Sequence, residues 1–368
     1  MFTKQKITHD AAIMQIIVGV LLLVGLIFIY SSSSFYSIEK YGTAFYYVKR
    51  QLIGLILGIF AYFVGRYLSL NLLHNMSFVS LIGSLLLTLL PLLNIVGKKM
   101  HGSSRWITIF GFTFQPSECL KVAVVIYIAS FLARKKDELY SLKKSYVPVL
   151  TILGIITLAL LKQPDFGCAV TICATTLCML FLANINLKYL GYTVLASIPA
   201  LLTLAYLQPY RWKRILTYLD PWKDPQGSGF QIIQSLIAVG SGGLWGTGIA
   251  QSKQKFFYLP MQHTDFIFSI IAEEIGFIGA LFIITLCIMF TFFGFKISWS
   301  LDNLFSIYLV QGITILITLQ TLINIFVSTG LAPTKGIGLP FISYGNTALI
   351  CNLFMVGLIM NAVHDFYE

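Results

Sequence analysis

Ionised side chains inside or beside long apolar runs are costly, so each marks a candidate for chemistry. Asp265 heads one such run, followed by Glu273 and Glu274. On a continuous helix of about 100° and 1.5 Å per residue, Glu273 is turned about 80° from Asp265 and lies about 12 Å deeper. Helix geometry alone therefore does not pair them. Glu118 and Lys121 stand three apart, on one helix face, where they can pair. Arg105 precedes them in GSSRW, and Asp165 lies in QPDFG. A positioned carboxylate suits general-base work, and fixed cations suit the holding of an anion whose charge develops during reaction. Each has a plainer reading. Glu118–Lys121 fits a buried structural ion pair. Asp265 fits a helix N-cap, with Thr264 competing for that role.

These residues must be positioned by a membrane scaffold. The chain has 368 residues, 57% hydrophobic and only 11% charged, with net charge +11. Soluble domains carry about 25% charged residues and disordered chains still fewer apolar ones, so both classes are excluded. A helix needs about 20 apolar residues to cross the hydrocarbon core. Runs of that kind fall at 12–31, 50–69, 77–97, 117–133, 146–162, 166–184, 187–207, 265–292, 305–330 and 339–361. The fold expected is all-α: ten transmembrane helices in a single domain, 1–368, with a large extracytoplasmic loop at about 208–264 between helices 7 and 8. The first apolar run is too long for a signal-peptide core and no cleavage site follows it.

Arg134, Lys135, Lys136, Lys143 and Lys144 form the densest basic cluster in a short loop. The positive-inside rule puts that loop in the cytoplasm. Parity then places both termini inside and the 208–264 loop outside. That loop alternates basic and aromatic residues, among them Tyr210, Arg211, Trp212, Lys213 and Arg214, then Lys253, Lys255 and Phe256. Two readings fit: a site for an anionic partner, or an interfacial anchor helix over Trp212–Tyr218. Nucleic acid does not suit an outer surface. Gly240–Gly248 resembles a dinucleotide loop only superficially, since no strand precedes it; tight turns or close backbone packing explain its glycines better. The six cysteines lie in apolar runs without a C-x-x-C pair, which fits neither a disulfide framework nor a zinc site.

In this order the pieces resemble the SEDS family of FtsW, RodA and SpoVE proteins. The resemblance rests on GSSRW (102–106), QPSE..K (115–121), QPDFG (163–167), DPWKDPQGSGFQIIQSLIAVGSGG (220–243), QKFFYLPMQHTDFIFSIIAEEIGFIGA (254–280) and PTKGIGLPFISYG (333–345). DPWKDPQGSG, QKFFYLP and PTKG look most like the division and sporulation branch. Met261 and Asn346 depart from the family pattern, which commonly has an acidic residue and a glycine there.

The resemblance implies ten transmembrane helices and polymerisation of lipid II into peptidoglycan strands at the outer face of the cytoplasmic membrane. It also implies a class B penicillin-binding protein as crosslinking partner, among other divisome or elongasome membrane proteins. The family's essential aspartate aligns with Asp265. Glycoside hydrolases need two carboxylates because an alkoxide leaving group must be protonated. Polyprenyl pyrophosphate leaves as a stable anion, so one base on the acceptor hydroxyl can suffice. Arg105 and Lys121 are the first candidates for the pyrophosphate, with Lys253 and Lys255 behind them. Glu118 orients Lys121, Asp165 orients another cation or binds sugar, and His263 joins the substrate-binding set. No cofactor is required by the sequence; a divalent Mg or Mn at the pyrophosphate is left open. Two rivals remain: a transporter of lipid-linked precursor, and a non-catalytic scaffold.

Overall fold

The computed structural model describes residues 2–92, 97–100, 103–109, 112–254 and 262–366. Its helices are α1 (Phe2–Tyr41), α2 (Tyr46–Tyr67), α3 (Leu70–Asn75), α4 (Ser77–Leu89), α5 (Pro116–Arg134), α6 (Val147–Lys162), α7 (Phe166–Leu182), α8 (Leu187–Tyr206), α9 (Pro209–Leu219), α10 (Phe230–Ser241), α11 (Ile267–Ser298), α12 (Leu304–Ser328) and α13 (Asn346–Asp365). Among the described residues, eight helices are long and apolar enough to cross a membrane. Two more of the expected spans, 77–97 and 166–184, are met by shorter apolar helices over Ser77–Leu92 and Phe166–Leu182.

Lipid cannot drive helices together by hydrophobicity, so packing relies on small residues that let backbones approach. The α2–α13 pair shows this. Gly54, Gly58 and Gly65 line one face of α2, where an added Cβ would come within 2.7 Å of Asn346, 2.6 Å of Leu353 and 2.6 Å of the Phe354 carbonyl respectively. α5, α12 and α13 are mostly buried, whereas α8 buries almost none of its length. The outward faces of α2, α8 and α11 carry exposed Ile56, Phe60, Leu195, Phe282 and Phe292, as a lipid-facing surface requires.

Two features differ from the sequence expectation. Residues 97–114 contain a three-stranded antiparallel sheet, β1 (Gly97–Met100), β2 (Ser103–Ile109) and β3 (Phe112–Phe114). The alternating β-branched and aromatic residues of SSRWITI favour a strand over the helical period. Ile107 is buried while Thr108 is exposed, the alternation of a one-faced strand. The expected loop at 208–264 is also partly helical, carrying α9 and α10.

α11 is not one continuous rod. Gly276 has φ 68° and ψ −170°, a conformation only glycine adopts freely. The backbone groups freed there are taken up by the glycine-rich loop after α10: Phe277 N–H donates to the Gly243 carbonyl at 2.9 Å, and Gly248 N–H to the Glu274 carbonyl at 3.0 Å. Gly243, Gly246 and Gly248 all have positive φ. Tight turns and close packing therefore account for that glycine run. Interrupted helices are tolerated in membranes when neighbouring groups re-satisfy the backbone in this way.

Candidate functional site

Residues 262–266 form a turn ahead of α11 rather than its first helical residues. The helix N-cap is Phe266 and no side chain caps it, so neither Asp265 nor Thr264 fills that role. The turn is held by its carbonyls. Tyr344 N–H donates to His263 O at 2.9 Å, Ser343 Oγ to Thr264 O at 2.6 Å, and Asn324 Nδ2 to Asp265 O at 2.8 Å. Asn324 also donates to the Ile337 carbonyl at 2.8 Å, joining α12, the turn and the loop 329–345. Among the described residues, no hydrogen bond or ion pair reaches the Asp265 carboxylate itself. Beside it lies Gly336, where an added Cβ would stand 3.5 Å from Asp265 Oδ2. The carboxyl is only partly accessible. Burial pushes it up to about 7, against the pull of the Arg214 and then the Arg105 charge.

Cations converge on this side of the turn from three segments. Arg105, on β2, lies 3.6 Å from Asp165 and donates to the Gln163 carbonyl at 3.2 Å and to the Pro164 carbonyl. Arg214, on α9, donates to the Thr334 carbonyl at 2.9 Å and lies over the Tyr210 ring. Arg211, one turn earlier, stands over the Phe166 ring at 5.5 Å; burial and then the Arg105 charge lower its pKa. Lys335 occupies the same Phe166 ring, also at 5.5 Å, and burial lowers its pKa from the usual lysine range. Four cations against the two carboxylates Asp165 and Asp265 among the described residues leave an excess of positive charge that suits an anion.

α9 supplies two of these cations because it is amphipathic. Arg211, Arg214 and Tyr218 turn toward the protein, with Tyr218 Oη donating to the Leu331 carbonyl at 3.1 Å, while Lys213, Leu216 and Leu219 are exposed. It is docked over the site as well as presenting an outward apolar edge.

The other sequence candidates divide. Asp165 caps α7, accepting from Cys168 N–H at 3.3 Å and Ser117 Oγ at 3.2 Å, and positions Arg105. Glu118 and Lys121 form a 2.7 Å ion pair, nearly enclosed, one turn further into α5. His263 is buried in the turn itself. Lys253 is held elsewhere: its N–H donates to Glu273 Oε1 at 2.8 Å and its side chain is exposed. Lys255 lies outside the described residues. Glu273 and Glu274 clamp the loop rather than join the cations. Glu273 also accepts from Ser252 Oγ, and Glu274 from Ser31 Oγ on α1 and from Ala250 N–H at 3.0 Å.

From sequence, Lys335 and Asn324 go unnamed, and Arg211 and Arg214 are named only within a loop that suits either an anion site or an anchor helix. The basic–aromatic alternation and the PTKG segment were the available signals. For a metal, no group of three or more His, Cys, Asp or Glu side chains comes together among the described residues. With Asp165 engaged by Arg105, Asp265 is the carboxylate left beside the cations among the described residues, too few protein ligands for a dedicated cage but a set that a substrate pyrophosphate would complete for a divalent ion.

The model of the "Cell cycle protein" family of FtsW, RodA and SpoVE matches residues 11–367. A probable peptidoglycan glycosyltransferase FtsW from Geobacter metallireducens is 39% identical, over 97% of this chain and 95% of that one. Stage V sporulation protein E of Bacillus subtilis is 39% identical over 98% of each chain. Among solved structures, a chain of a peptidoglycan synthase complex coordinating polymerization and crosslinking superposes with TM-score 0.80 at 27% identity, covering 96% of this chain and 98% of that one. The rod shape determining protein RodA of Thermus thermophilus shares the fold, with TM-score 0.71 at 24% identity over 96% of this chain and 97% of that one. The match runs through the Asp265 turn, the Asp165 cap and the cationic segments around them, and the chain belongs to the FtsW/RodA/SpoVE family of multi-pass membrane proteins.

Proposed function

We propose that this chain is a peptidoglycan glycosyltransferase that polymerises lipid II at the outer face of the cytoplasmic membrane, for septal wall synthesis. The observation that carries this reading is a carboxylate, Asp265, unpaired among the described residues and set on the side of the turn where Arg105, Arg211, Arg214 and Lys335 converge. The relatives named as FtsW glycosyltransferases support the reaction class.

Asp265 takes the proton from the acceptor's 4-hydroxyl as that oxygen bonds to C1 of the donor sugar. The bond from C1 to the pyrophosphate oxygen breaks on the opposite face, inverting the anomeric centre. The pyrophosphate departs with the bonding pair, and the cations stabilise the charge it gains. No acid is needed at the leaving group. Glu118–Lys121 backs the site from within α5, and Asp165 fixes the Arg105 guanidinium.

The crosslinking partner in this reading is a class B penicillin-binding protein, supported by the likeness to a synthase complex. Both termini lie in the cytoplasm, as the basic cluster at 134–144 argues. Purified protein with its partner, the partner's transpeptidase blocked, is expected to convert lipid II into glycan strands. Movement of lipid II across liposomes with no strand formed would sink this reading in favour of a transporter.

A further inference from the structure

Residues 334–337, in the loop after α12, are fastened at every position but one. Arg214 holds the Thr334 carbonyl at 2.9 Å, Lys335 lies over the Phe166 ring, and Asn324 holds the Ile337 carbonyl at 2.8 Å. Lys335 and Ile337 both turn toward the head of α7. Their side chains stand 3.9 Å and 3.4 Å from the point where a Cβ on Gly167 would lie. Gly336, between them, turns to Asp265 instead. It is the exposed tip of a three-residue turn, closed by Ile337 N–H donating to the Lys335 carbonyl at 2.9 Å.

A Cβ added to Gly336 would stand 3.5 Å from Asp265 Oδ2, and nothing else among the described residues comes within 4 Å of it. Gly336 is not one of the positive-φ glycines, so its backbone does not demand a glycine. Packing does not demand one either, because 3.5 Å is ordinary contact. An alanine would suit the folded state and would restrict the unfolded chain more. What marks the position is the open space between its tip and the base. Asn324 Nδ2 also holds the Asp265 carbonyl at 2.8 Å, so one side chain fixes both walls of that gap.

Resting on the glycosyltransferase reading, we infer that the gap over Gly336 is where the acceptor hydroxyl reaches Asp265, and that Gly336 is a specificity-determining residue that makes room for a ring-borne secondary alcohol. The distances carry this. A hydroxyl oxygen gives its proton to a base from about 2.6–3.2 Å, which puts the carbon bearing it about 3.5 Å from the base oxygen. A Cβ on residue 336 would stand at that same distance. The carbon of a secondary alcohol also brings two ring neighbours, for which only a glycine leaves space. Lys335 projects to the α7 side, onto the ring that Arg211 also covers, while Gly336 opens away from it. Acceptor and departing pyrophosphate are thereby kept on different sides, as an inverting displacement requires.

Lys335–Gly336 is the one Lys-Gly pair in the chain. Lysine labelled with carbonyl carbon-13 and glycine with nitrogen-15 therefore give a single carbonyl-linked amide signal, that of Gly336. Full-length protein carrying Asp265→Asn, to prevent turnover, is placed in nanodiscs and titrated with a lipid-free tetrasaccharide ending in N-acetylglucosamine. The Gly336 signal is expected to shift to saturation with the tetrasaccharide and with lipid II, and to stay unmoved with polyprenyl pyrophosphate alone. A signal unmoved by the tetrasaccharide overturns the proposal, and a shift with polyprenyl pyrophosphate assigns the gap to the leaving group instead. Neither outcome depends on a substituted glycine folding. With Asp265 restored, Gly336→Ala is expected to lower kcat about tenfold and Gly336→Val about 10²-fold, the scale of a misplaced reactant, without lowering the melting temperature. Wild-type kcat in Gly336→Val overturns the steric role. Wild-type protein that makes no strands sinks the enzymatic reading; strands together with an unmoved Gly336 sink the gap alone.

Discussion

Burial holds the Asp265 carboxyl near neutrality, at about 7, while Arg214 and Arg105 favour its ionised form. A general base works only when ionised, so strand synthesis is expected to rise with pH through the neutral range and level off above it. Removing Arg214 charge in Arg214→Gln raises the carboxyl pKa further, so the rising limb moves to higher pH. Initial rates across a pH series check both; a limb unmoved or shifted to lower pH contradicts the arrangement. The same variant weakens the hold on the pyrophosphate, which appears as a higher KM for lipid II. Asp265, Arg105 and Asp165 were legible because a charge beside an apolar run stands out in one dimension. Arg211 and Arg214 were seen but read two ways, since headgroup anchoring and anion binding use the same residues. Only the fold places Arg211 over Phe166 and Arg214 against the Thr334 carbonyl. For Lys253, nearness in sequence to the HTDFIF segment says nothing of how Glu273 holds its backbone.

α11 and the loop after α10 are assembled around two buried carboxylates, Glu273 and Glu274. Glu274 accepts from Ala250 N–H and the Ser31 hydroxyl. Glu274→Leu leaves those donors unpaired at a cost of about 1–3 kcal/mol each. It is expected to lower the melting temperature and to speed amide exchange over 244–253 with little change over α12. Uniform exchange across both segments would show that the clamp is not local. A second prediction concerns helix approach. A side chain at Gly357 would run into the Tyr62 carbonyl of α2, so Gly357→Leu forces α2 and α13 apart and destabilises by about 1–3 kcal/mol, read as a loss of folded protein in detergent on heating. Neither device was legible. The partners of Glu274 lie 24 and 243 residues away, and the interruption at Gly276 sits inside an apolar run that reads as one helix. The strand at Ser103–Ile109 carries a period-2 signal, but it is short and lies between two spans, where hydropathy alone does not reveal a sheet.

The whole molecule is a bundle whose chemistry gathers where five separated segments meet: the sheet, the head of α7, α9, the turn before α11 and the loop after α12. The all-α class, the approximate spans and the order of the motifs were legible because hydrocarbon thickness dictates helix length. The meeting of those segments was not, since it depends on packing alone. Orientation follows from the basic cluster between α5 and α6, where Glu138 already pairs with Lys135 at 2.6 Å and Lys144 at 3.0 Å. A cysteine at Lys136 is expected to be labelled only from the cytoplasmic side, and one at Lys213 only from outside; the reverse pattern would put the site on the wrong face for its substrate. The most direct measurement is strand formation from purified lipid II by the reconstituted protein and its partner, comparing wild type with Asp265→Asn after confirming that both fold and insert. Wild type is predicted to make glycan strands and the variant to be slower by about 10²–10⁴-fold, the worth of a positioned base. Equal strand synthesis by the two would contradict the role given to Asp265 and, with it, the mechanism.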